Sequence, residues 1–194
     1  MDQTLETQVL QAKALLLKFE KTKDEWFMPF PMGVFGTLRK GWGNDPLMHR
    51  GKVAAWTRAF LPHFTASGLT IHCTEGGSAP FEIYFYNKAE WDKMIPSVDR
   101  LEGFHPQYLD ERRPGEWADY GYHRTLVWLS LLPEEFAEHP PYMGRGRGSW
   151  GERNLEIGTA TWKDYDRVPC WVYSNGKANR EVKKLEGNPL IWQG

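Results

Sequence analysis

Near the start of the chain, Leu5, Val9, Ala12, Leu16 and Phe19 recur at alternating spacings of four and three. That is the period of one helical face, and it predicts a helix from Thr4 to about Lys21. Thr22 to Asp24 break the pattern, and Pro29 and Pro31 force an extended approach to the short apolar run Val34-Phe35, which stops at Gly36. Gly41, Gly43 and Asn44 mark a long turn after Leu38. Val53 to Phe60 and Leu69 to Cys73 read as two strands separated by Pro62 and Gly68. Gly76-Gly77-Ser78-Ala79-Pro80 reads as a loop, and Phe81 to Tyr86 as a strand.

A second helical pattern follows. Asn87 with Glu90 forms a capping pair, Trp91, Met94, Val98 and Leu101 give an apolar face, and Gly103 suits the helix end. Pro96 predicts a bend or a split within it. Thr125 to Leu132, Ile157 to Trp162 and Cys170 to Tyr173 complete the strand set, with a short helix over Asn179 to Leu185. Residues 133–156 are rich in Pro, Gly and Arg and read as an insertion. Strands around one central helix, without alternating βα units, predict an α+β domain built on a mixed, barrel-like β-sheet. The division expected is an N-terminal helical extension over 1–27 and a single domain over 28–194. The extension packs on that domain or on a second subunit, as a homodimer.

Composition narrows the function classes. The 194 residues suffice for one domain with a real core. Lys plus Arg total 24 and Asp plus Glu 25, so no global charge favours nucleic acid or an anionic membrane. No run is apolar and long enough to span a bilayer, and the polar start lacks a signal-peptide pattern. Two cysteines, Cys73 and Cys170, make no disulfide framework, so a reducing cytoplasmic setting is expected. Ten tryptophans can fill a core or line a pocket.

Two segments carry candidate chemistry. In Val34-Phe35-Gly36-Thr37-Leu38-Arg39 a strand ends at a glycine, where consecutive backbone N–H groups can form an anion cradle. Arg39 would add charge at its mouth or be solvated. In Val98-Asp99-Arg100-Leu101-Glu102-Gly103 a carboxylate sits in the last turn of a helix. There the helix dipole disfavours its charge, and an aromatic-walled pocket would add desolvation in the same direction. Both raise its pKa towards neutrality, where a group that alternates between base and acid works best. Glu82 is a rival acid on a neighbouring strand, or else a structural partner for a backbone or arginine group.

Other clusters point less far. The histidines His49, His63, His72, His105, His123 and His139 show no tight ligand spacing, and the adjacent His72 and Cys73 face opposite ways on a strand. Cys170 has no Cys-His signature beside it and reads as a small buried residue. Arg145-Gly146-Arg147-Gly148, with Tyr142 and Trp150 nearby, is a basic glycine-rich loop of the kind that grips phosphates, or simply an exposed loop. There is no P-loop, dinucleotide fingerprint or G-x-S-x-G motif.

In order and spacing, three segments together resemble the γ-glutamylcyclotransferase-like (AIG2-like) family: Phe35-Gly36-Thr37-Leu38, Phe81-Glu82-Ile83-Tyr84 and Val98 through Gly103. Tyr108 with Arg112, and Cys170-Trp171-Val172-Tyr173, extend the likeness over roughly Met32 to the C-terminus. The resemblance implies the same barrel-like architecture. It also implies an enzyme that needs no cofactor and cyclises a small-molecule γ-glutamyl amine or peptide to 5-oxoproline, with Glu102 as general acid/base. The implied substrate contacts are Phe35, Gly36, Thr37, Leu38, Arg39, Tyr108 and Tyr173. Two features depart from the pattern: Phe35 replaces the usual tyrosine, and the stretch between Thr125 and Cys170 is long. The alternative is a protein that binds a small acidic or nucleotide-like ligand in the same pocket without turning it over.

Overall fold

The computed structural model describes residues 3–22, 30–67, 70–104, 122–132 and 166–175. Helix α1 (Gln3–Thr22) precedes strand β1 (Met32–Val34), a 3-10 turn (Gly36–Leu38) and the short helix α2 (Asp45–Met48). Strands β2 (Ala55–Ser67) and β3 (Thr70–Phe85), helix α3 (Lys88–Glu102), and strands β4 (Tyr122–Leu131) and β5 (Arg167–Asn175) follow. The described strands close into a barrel in the order β1-β3-β2-β4-β5. The sheet is mixed: β1 runs parallel to β5, with Met32 opposite Trp171, and the other pairs are antiparallel. The fold is therefore a mixed α+β barrel with helices packed on it.

Side-chain alternation explains how the strands are covered on both faces. Phe81, Ile83 and Phe85 of β3 join Val127, Leu129 and Leu131 of β4 and Val168, Cys170 and Val172 of β5 in one core. Helix α1 docks on that core through Val9 and Ala12, with Leu5 partly buried beside them. Lys13 fixes the helix further by pairing with Asp166 at 2.5 Å. The intervening residues Tyr84, Leu126, Trp171 and Tyr173 join Trp91, Met94 and Val98 of α3 in a second core. Each fully buried side chain of this size contributes about 1.5–3 kcal/mol, so α3 is held mainly by these contacts and not by helix propensity.

Three local expectations are corrected. The strand predicted to stop before Pro62 runs on to Ser67, and the one predicted over Leu69–Cys73 runs on through the Gly-Gly-Ser-Ala-Pro segment into Phe81–Phe85: β2 and β3 form one long hairpin from Ala55↔Phe85 to Ser67↔Thr70. The register shifts between Pro62 and Phe64, where His63 takes φ 64°, so the proline sits at a bulge. Pro80 lies beyond the last β1 partner, Val34↔Glu82, where its missing N–H costs no bond to β1. Of the bend or split expected at Pro96, the split does not occur: α3 is one helix from Lys88 to Glu102, and Pro96 leaves the carbonyl of the exposed Asp92 to solvent. Finally, Leu101 does not continue the buried face of α3 but is 42% exposed.

No described helix is long and apolar enough to cross a membrane. The expected strand Ile157–Trp162, the helix Asn179–Leu185, the insertion over 133–156 with Arg145 and Arg147, and Tyr108 lie outside the described residues.

Candidate active site

Strand β1 ends where Phe35 is still extended, at φ −128° and ψ 174°, and Gly36 turns left-handed at φ 63°. A side chain at that φ is strained, while nothing within 4 Å opposes a Cβ there, so Gly36 is required by conformation and not by space. The Gly36–Leu38 turn then starts with N–H groups that have no acceptor within the turn itself. The loop after it is fastened at several points. Asn44 donates its side-chain amide to Thr37 Oγ1 at 2.8 Å and its backbone N–H to the Thr37 carbonyl at 2.9 Å. The Gly41 N–H donates to Asp45 Oδ2 at 2.8 Å.

Glu82 ties this loop to the barrel. Its Oε2 accepts the Lys40 N–H at 2.7 Å, the Trp56 indole N–H at 3.2 Å and the Tyr84 hydroxyl at 3.1 Å. Burial first, and the Glu82 charge second, push the Tyr84 phenol far above its ordinary value, so Tyr84 remains a neutral donor. Of the two sequence readings for Glu82, the structure shows the structural one: its carboxylate is buried and occupied by a backbone amide and two ring donors.

Helix α3 approaches from the other side. Its start is capped as the sequence predicts, with the Glu90 N–H donating to Asn87 Oδ1 at 3.0 Å. At its end Gly103 is left-handed, Phe104 N–H bonds the Asp99 carbonyl at 2.9 Å, and Gly103 N–H bonds that of Arg100 at 3.4 Å. This is a Schellman closure, and it makes Glu102 the last helical residue.

The two ends meet at a cleft of about 190 Å³. Phe35, Gly36, Thr37 and Leu38 line it from the turn, Leu101 and Glu102 from α3, and Tyr173 from β5. Gly33, Val34 and Asn44 complete the wall. Glu102 is half-buried there, and burial raises its carboxyl from about 4.5 to about 7. The negative end of the helix acts in the same direction. A carboxyl with that value exchanges protons readily at neutral pH, in a site whose other walls are largely apolar.

Tyr173 is buried and donates its hydroxyl proton to Asp99 Oδ1. Asp99 also faces Arg124 Nε at 3.5 Å, with both side chains below 10% exposed. The Arg124 guanidinium lies over the rings of Phe104, at 4.9 Å, and Trp171, at 5.9 Å. Burial, opposed by Arg124 and reinforced by Asp99 and Glu102, keeps the Tyr173 phenol well above its ordinary pKa.

Of the residues expected from sequence, the structure brings Phe35, Gly36, Thr37, Leu38, Glu102 and Tyr173 together. Arg39 is a correction: it neither lines the cleft nor meets solvent. It is 1% exposed, its Nε donates to the Gly36 carbonyl at 3.4 Å, and its guanidinium lies 5.1 Å from the Trp42 ring. The backbone is extended at Arg39, which turns the side chain back under the loop. The sequence marks Asn44 only as a turn residue and gives Asp99 and Arg124 no site role. For Asp99 a signal existed, since it lies three residues before Glu102 on the same helix face. No group of His, Cys, Asp and Glu side chains suited to a metal ion occurs among the described residues. Cys170 is fully buried and its thiol pKa is pushed well up by that burial, which fits a packed residue and not a nucleophile. No protein-family model matches the chain, and no curated protein matches its sequence.

Proposed function

We propose that the chain is a γ-glutamylcyclotransferase-like enzyme, which converts a γ-glutamyl amine or peptide to 5-oxoproline and the free amine. The observation that carries this reading is the placement of Glu102, with a carboxyl raised to about 7, in one cleft with the Gly36–Leu38 turn.

The substrate amine and the γ-carbonyl belong to one molecule, so the site need only hold the folded conformer and move protons. Glu102 takes a proton from the α-ammonium. The freed amine nitrogen attacks the γ-carbonyl carbon, a C–N bond forms, and the carbonyl oxygen becomes an oxyanion facing the backbone N–H groups of the turn. Glu102 then returns its proton to the leaving nitrogen, the oxyanion collapses and the original C–N bond breaks. The ring nitrogen gives up its surplus proton to the ionised Glu102, which passes it to the departing amine, so that the products are neutral lactam and ammonium. A well-aimed oxyanion donor is worth about 3 kcal/mol of barrier, and a positioned acid/base about 10²–10⁴ in rate. A cleft of about 190 Å³ suits a group the size of a glutamyl chain and leaves the amine to pass the exposed Leu101.

The test is incubation with a panel of γ-glutamyl amines and dipeptides, with 5-oxoproline read by mass spectrometry. Release from at least one of them supports the enzyme. Tight retention of a panel member without any product supports the binding-protein reading of the same cleft.

A further inference from the structure

Behind the Tyr173 wall of the cleft lies a buried charged pair that the proposed reaction does not use. Arg124 comes from β4, Asp99 from α3 and Tyr173 from β5, so three separate elements converge on it. Asp99 occupies both neighbours at once, pairing with the guanidinium and accepting the phenol proton. Glu102 is one helical turn further along α3 and projects to the same side. Arg124 sits directly across the β4–β5 ladder from Tyr173, and Glu102 lines the cleft together with Tyr173. A buried guanidinium seeks a carboxylate; Asp99 supplies one, and Glu102 is the next carboxylate along the same face of α3.

We propose that Asp99 is a positioning residue for the cleft, one that holds the Arg124 guanidinium and so keeps it from pairing with Glu102. The inference rests on the reading of Glu102 as the proton-exchanging group. An Arg124–Glu102 pair would fix Glu102 as a permanent carboxylate, turn its side chain away from a ligand and remove its ability to donate a proton. With Asp99 in place, Arg124 is neutralised and packed between Phe104 and Trp171, and Glu102 answers to its own burial. The charged and titratable groups that face this corner from the packed elements are Asp99 and the exposed Arg100 on α3 itself, Tyr173 on β5, which lines the cleft with Glu102, and Arg124 on β4, held by Asp99. The 3-10 turn contributes none, since Arg39 is folded under the loop.

The experiment is a carboxyl titration of Glu102 by NMR, on full-length protein carrying ¹³C-labelled glutamate, with E102Q used to assign the resonance. In D99N the Tyr173 hydroxyl keeps an acceptor but Arg124 loses its counter-charge. The Glu102 midpoint is expected to fall by about 1–3 pH units, the effect of an opposite charge within ~4–6 Å. In R124M the uncompensated Asp99 pushes the midpoint up. In D99N/R124M, where both charges are gone, it returns to near the wild-type value. A D99N midpoint that stays in place or rises overturns the proposal. So does a double variant that keeps the fall, because the cation is then not its cause. Should D99N fail to fold, the R124M and double-variant arms decide. None of these readings needs turnover, so a protein that releases no 5-oxoproline can still confirm or refute the role of Asp99.

Discussion

Glu82 of β3 accepts the backbone N–H of Lys40 at 2.7 Å, so a barrel side chain fixes the loop that faces Glu102 across the cleft. Two acids that looked like rivals in the sequence thus hold different positions. One is saturated by three donors, and the other borders open space with a proton near neutrality.

Substitutions at Glu82 separate these roles. E82A strands the Lys40, Trp56 and Tyr84 donors and is expected to cost about 3 kcal/mol or more in urea unfolding. E82Q keeps an acceptor and should retain most of the activity of the wild type. A loss of turnover in folded E82Q as complete as that in E102Q would reassign the chemistry to Glu82.

The raised carboxyl of Glu102 makes a stability prediction that does not depend on any substrate. Its folded value, about 7, lies above its ordinary value of about 4.5, so the folded state binds the proton more tightly. Below about pH 4.5 both states are protonated and the group costs nothing. Between that pH and about 7 the penalty for ionising it in the fold grows, reaching up to about 3 kcal/mol at higher pH. E102Q should therefore be more stable than wild type by up to about that amount near pH 8, with the difference vanishing near pH 4. Denaturation midpoints of the two proteins across this range check it; a difference that does not change with pH contradicts the buried, raised carboxyl.

The same value sets the expected pH dependence of catalysis. The cycle starts with Glu102 ionised, so kcat/KM should climb with an inflection near pH 7, reporting the free enzyme. A rate independent of pH between about 5 and 8 would remove Glu102 from the proton transfer.

Two glycines, Gly33 within β1 and Gly36 just after it, should fail for opposite reasons. A Cβ on Gly33 would lie 2.5 Å from Leu129 Cδ1 and 3.0 Å from Val172 Cγ2, so G33A overfills the core and should cost about 1–3 kcal/mol. At Gly36 space is free but φ is 63°, so G36A should cost about 1–2 kcal/mol through the backbone, with G36N milder because Asn tolerates that region. Activity should fall more in G36A than in G33A. Equal stability of G36A and wild type would contradict the left-handed turn.

The parts of the fold legible in the sequence were those fixed by local rules. The Asn87 cap, the Gly103 stop, the apolar and aromatic run Phe81–Tyr86 and the face of α1 at Val9 and Ala12 each follow from local chemistry. The long hairpin was not legible, because Pro62 and Pro80 are strand breakers only where a ladder partner needs their N–H. The bulge at His63 and the short extent of β1 remove that need. In the cleft, Glu102 and the Gly36 turn stood out by residue type. Asn44, Arg124 and the buried course of Arg39 depend on how the loop folds back and on which strand β4 lies beside, and no spacing encodes either.

The central claim is that Glu102 exchanges the protons of a γ-glutamyl cyclisation. Its most direct test is the rate of 5-oxoproline formation by wild type and E102Q side by side, on whichever panel member the wild type consumes, with folding of both confirmed by circular dichroism. The account predicts a fall of about 10²–10⁴ in kcat for E102Q with ligand affinity nearly retained. An E102Q protein that releases 5-oxoproline at the wild-type rate would contradict it.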